Sequence, residues 1–67
     1  MLIDKIRTAN VVMSETDKGF VATLYINGQK VHATYPQLSR KNAILLINRK
    51  IERISKLNNV RLKPYKE

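Results

Sequence analysis

Ser39-Arg40-Lys41 opens the one long amphipathic stretch of this chain with two cations, at a position where helices ordinarily carry acids. The free N–H groups of a first helical turn and the helix dipole make that end partly positive, which favours anions and disfavours cations. Arg40 and Lys41 suit a phosphate or carboxylate settled on the helix end; the plainer account is that both side chains swing into water. Farther along, Arg49, Arg53 and Lys56 recur on the polar side at helical spacing, with Glu52 as the one acid among them. Such a row follows a phosphate backbone in a salt-sensitive, sequence-independent way, although a solvated helix face has the same appearance. Tyr25, Lys30 and His32 form a second set, on alternating positions of two β-type segments, where a base could stack or a groove be entered. Tyr and Thr also occur in strands simply because they fit a pleated surface.

Catalysis has little to work with. One histidine, no cysteine and five scattered carboxylates do not supply a paired acid and base. His32 has no partners at ligand spacing, so a metal site is not expected. Two glycines, both in turn contexts, cannot build a phosphate-binding glycine loop. The expectation is a protein with no enzymatic activity, no cofactor and no small-molecule substrate.

A chain of 67 residues makes one small domain, residues 1–67, that buries only about 60% of its unfolded surface. The absence of cysteine fits a reducing compartment. No apolar run is long enough to cross a bilayer, and the first residues do not resemble a signal peptide, so the expected address is cytoplasmic, without a membrane partner. The formal net charge is +8. Residues 1–38 hold four Lys and Arg against three acids, whereas residues 39–67 hold nine against two, so the excess belongs to the helix and tail. A small chain this basic points to a polyanionic partner.

The elements that must position these residues read as β-β-β-α. Asn27-Gly28 suits the positive φ angles of a two-residue hairpin turn between strands of about 20–26 and 29–35. With that turn central, Ile26 faces Gln29, Leu24 faces Val31, Ala22 faces Ala33 and Phe20 faces Tyr35, all on the apolar side. Val21, Thr23, Tyr25, Lys30, His32 and Thr34 fall on the open side. A first strand of about 9–14 joins through Thr16-Asp17-Lys18-Gly19, and if Glu15 lies opposite Phe20 then Val11 and Met13 join the apolar face. Residues 1–8 suit a turn of helix as well as an extension of the first strand. Ser39 is the expected N-cap of a helix of about 39–58. Its stripe of Ile44, Ile47, Ile51 and Ile54, flanked by Ala43, Leu46 and Leu57, would lie against the sheet. Residues 59–67 fit either a short edge strand or a basic tail. The expected fold class is therefore α+β, a three-stranded antiparallel meander covered on one face by a single helix.

Hairpin, short linker and Ser39-Arg40-Lys41-Asn42-Ala43 at the start of a long helix resemble the C-terminal half of double-stranded-RNA-binding domains. Ser39, Arg40, Lys41 and Ala43 match that family's motif, while Ile44 stands where it carries a third lysine. The resemblance implies that Arg40 and Lys41 clamp phosphates across a groove of duplex RNA. The element order and the hairpin Tyr25 to Lys30 are also similar to DNA-binding domains of the AP2 and integrase-arm types, which implies reading by the sheet face. The expected function is a small nucleic-acid-binding protein for duplex RNA or DNA. The alternative is a regulator of the phage or bacterial kind that docks on an acidic partner protein through an edge strand or the outward-facing Leu45.

Overall fold

The structure is a computed structural model and describes residues 5–66. Strands β1 (Ala9–Thr16), β2 (Gly19–Ile26) and β3 (Gln29–Ala33) form an antiparallel sheet in the order β1-β2-β3, followed by helix α1 (Arg40–Leu57). This is the expected β-β-β-α architecture.

The central strand holds the fold together because its alternation is clean. Ala22, Leu24 and Ile26 point to the helix, and all three are buried. They meet Ala43, Ile47, Ile51 and Ile54, which recur at helical spacing along α1 and are also buried. At the helix's first turns it is Ala43 that enters the core, while Ile44 is half-buried. Burying branched side chains from both layers is the main stabilising term in so small a core, at about 25 cal/mol per Å² of apolar surface.

β1 and β2 pair without interruption from Ala9 opposite Ile26 to Thr16 opposite Gly19, with Glu15 opposite Phe20, so Val11 and Met13 pack toward the helix. At the β2–β3 turn, Asn27 and Gly28 both adopt positive φ (54° and 80°), as a two-residue turn of this hand requires. The Asn27 side chain also fastens the chain's beginning. Its Oδ1 accepts from the N–H groups of Arg7 (2.7 Å) and Thr8 (3.2 Å), and its Nδ2 donates to the Lys5 carbonyl (2.6 Å). Residues 5–8 are consequently neither helix nor strand, and the rest of the expected 1–8 element lies outside the described residues.

β3 departs from the simple register. Gln29 pairs with Ile26 and Lys30 with Tyr25, but His32, not Val31, lies opposite Leu24, and Ala33 lies opposite Thr23. Val31 is the extra residue of a β-bulge, which keeps it packed against the core and reverses the facing of every side chain after it. His32 and Thr34 therefore turn to the helix side, and Ala33 and Tyr35 do not enter the apolar face. Thr34 is buried, and its hydroxyl accepts from the Ala22 N–H (3.1 Å) while its own N–H donates to the Ala22 carbonyl (2.9 Å). With the Ala22 N–H taken by a side chain, and with Pro36 lacking a donor, regular pairing stops at Ala33 rather than Tyr35.

Ser39 caps α1 as expected, its hydroxyl accepting from the Asn42 N–H at 3.1 Å. Asn58 ends it, and Asn59 reverses the chain at φ 53°. Residues 60–66 form neither an edge strand nor a free tail. They return alongside α1, with Leu62 against the core.

Candidate nucleic-acid interface

The two long sides of α1 are finished differently. On the β1 side the returning segment is tied to the helix by side-chain groups. Asn48 Nδ2 donates to the Tyr65 carbonyl (3.2 Å) and its Oδ1 accepts from the Tyr65 N–H (2.7 Å), so one amide imitates a strand neighbour. The Ser55 hydroxyl donates to the Val60 carbonyl and accepts from the Leu62 N–H (3.3 Å).

The β3 side is left open. A groove of about 330 Å³ runs between this edge strand and the helix. Thr34, Ala33 and Leu46 contribute its less polar lining, Arg49, Lys50 and Arg53 its basic one, and Tyr35 and Gln37 stand where the chain turns toward the helix. No acidic side chain is among the described residues that line it. Arg49 and Arg53 are one helical turn apart, about 6 Å along the axis, and with Lys56 they also line the adjoining outer surface. Lys56 pairs with Glu52 at 3.1 Å, an exposed i,i+4 contact worth about 0.5 kcal/mol.

The bulge brings His32 to this groove. It is half-buried, and desolvation together with the nearby Lys50 charge holds its pKa below the ordinary value of 6.5. The imidazole is neutral at neutral pH, and an anion entering beside Lys50 would offset the Lys50 charge and favour the protonated imidazole.

The eight residues expected to bind thus divide into separate groups. Arg49, Arg53 and Lys56 form one continuous row, joined by His32 across the groove. Tyr25 and Lys30 remain a cross-strand pair on the open face of the sheet, but His32 is not their neighbour there, because the bulge turned it over. Arg40 extends its guanidinium over the Phe20 ring, 5.8 Å from the centroid, a cation–π contact on the sheet side of the helix. Arg40 and Arg49, nine positions apart, sit about half a turn round the helix from one another, so they do not form one row. Lys41 is exposed. Three groove residues were not singled out by the sequence. Lys50 follows Leu46 by one turn and was legible on the helical wheel; Tyr35 and Gln37 reach the groove at the corner after β3, where Gln37 bonds to Phe20.

Among the described residues no group of three His, Cys, Asp or Glu side chains gathers as a metal site would need, and no helix is long and apolar enough to cross a membrane. No protein-family model matches the chain, and the searches of curated proteins and of solved structures gave no significant match.

Proposed function

We propose that this chain is a small, non-enzymatic nucleic-acid-binding protein that holds phosphates along the β3 side of α1. The observation that carries the reading is the groove whose basic lining is Arg49, Lys50 and Arg53, with no acid among its described lining residues. Three cations lining one groove repel one another, and the repulsion is relieved when a polyanion is bound. Arg40 and Lys41, near the positive end of the helix, add to the field that draws the polyanion in. A cytoplasmic address goes with this reading, since polynucleotides are plentiful there.

Titration of labelled RNA and DNA oligonucleotides at several salt concentrations tests it. Three phosphate contacts give a log–log salt slope of about −2 to −3. Arg49→Glu with Arg53→Glu abolishes binding at moderate salt while leaving the fold intact by circular dichroism. No binding to any polynucleotide at low salt rules the reading out.

A further inference from the structure

Resting on that reading, we infer that the groove takes a single-stranded segment, with one base laid on Tyr35 and the phosphates flanking it held by Arg49, Lys50 and Arg53. The inference starts from an unusual tyrosine. Tyr35 is 87% exposed, yet the residues on both sides of it are hydrogen-bonded to β2. On one side, Thr34 exchanges two hydrogen bonds with Ala22 (3.1 and 2.9 Å). On the other, Gln37 exchanges two backbone bonds with Phe20 (2.8 and 2.9 Å), and its Nε2 donates to the Tyr35 carbonyl (2.9 Å). The corner fits so closely that a Cβ on Gly19 would come within 2.3 Å of the Gln37 carbonyl oxygen.

An aromatic ring presented to solvent from a fixed corner is a preorganised stacking platform, because little backbone freedom remains to be lost on binding. Tyr35 and the cations border the same concave groove, in the combination that single-strand binders use: an aromatic for the base and a basic wall for the backbone. A duplex keeps its bases stacked inside and cannot lay one on Tyr35 without unpairing it. The groove's volume, about 330 Å³, is at the small end of ligand clefts and suits one nucleotide rather than the width of a double helix.

The discriminating experiment compares short single strands with blunt duplexes of the same sequence, as RNA and as DNA, against the full chain by fluorescence anisotropy. Single strands are expected to bind about tenfold tighter than duplexes. Tyr35→Ala should weaken single-strand binding about tenfold and leave duplex binding unchanged, Tyr35→Phe should retain it, and a Tyr35→Trp reporter should be quenched on binding. Equal or tighter duplex binding, unaffected by Tyr35→Ala, overturns the single-strand inference but leaves the phosphate reading standing. Failure of every oligonucleotide, with an aspartate-rich peptide shifting the Tyr35→Trp emission instead, overturns both and makes the groove a site for an acidic peptide beside the β3 edge.

Discussion

Along its β1 side, α1 is closed by the chain's own residues 60–66, docked through Asn48 and Ser55; along its β3 side it borders an open groove walled by Arg49, Lys50 and Arg53. Both sides flank the same core, so hydrophobic burial does not account for the difference. The closed side satisfies polar helix groups with the backbone of the returning segment. The open side gathers like charges beside an edge strand, and that arrangement becomes favourable when something anionic completes it. Fold and proposed function thus meet on one helix, with its two flanks separable by substitution.

The largest effect expected is one that destroys the contrast altogether. Ile47 is fully buried where the two layers meet, and Ile47→Ala should cost about 3 kcal/mol in urea denaturation, a large share of the stability of a domain this small. Both flanks are then lost together. Gly19→Ala should cost about 2 kcal/mol, because Gly19 has φ +136° and the new Cβ meets Gln37 backbone. Its damage should fall on the Tyr35 corner and so weaken oligonucleotide binding more than Asn48→Ala does.

Asn48→Ala removes two hydrogen bonds and should cost about 1–2 kcal/mol. Hydrogen exchange at the Tyr65 amide should accelerate while oligonucleotide affinity stays the same, which isolates the closed flank.

The smallest effect concerns pH. The folded-state pKa of His32 lies below its unfolded value, so between the two the unfolded chain binds more protons. Its contribution to stability is complete above pH 6.5 and declines as pH falls below it. His32→Gln should flatten that part of the stability–pH profile, and Lys50→Gln should move the His32 titration, followed by NMR, back toward 6.5. Since bound phosphate favours the charged imidazole, oligonucleotide affinity should rise over the same interval.

The parts of this molecule that were legible in its sequence are those fixed by local chemistry. Asn27-Gly28 specified its turn, Ser39 its cap, and the spacing of Ile47, Ile51 and Ile54 the buried stripe. The β1 register followed from placing Glu15 opposite Phe20. The bulge was hidden because Val31, Ala33 and Tyr35 are all apolar or aromatic, so unbroken alternation satisfied the pattern equally well, and no Gly or Pro marks the break. That one residue decides where His32 and Tyr35 stand, and with them the groove. The returning segment was equally hidden, since Asn48 and Ser55 bind it through backbone groups, which carry no sequence signal. Arg49 and Arg53 could be grouped from helical spacing alone; joining them to Tyr35 required the fold.

The most direct test of the central claim is a titration of the ¹⁵N-labelled protein with a short single-stranded oligonucleotide, followed through its amide chemical shifts. The account predicts that the largest changes cluster at Thr34, Tyr35, Gln37, Arg49, Lys50 and Arg53, with the Asn48–Tyr65 side and the Tyr25–Lys30 sheet face nearly still. Changes centred instead on Tyr25 and Lys30, or on the segment docked along the β1 side, would contradict it.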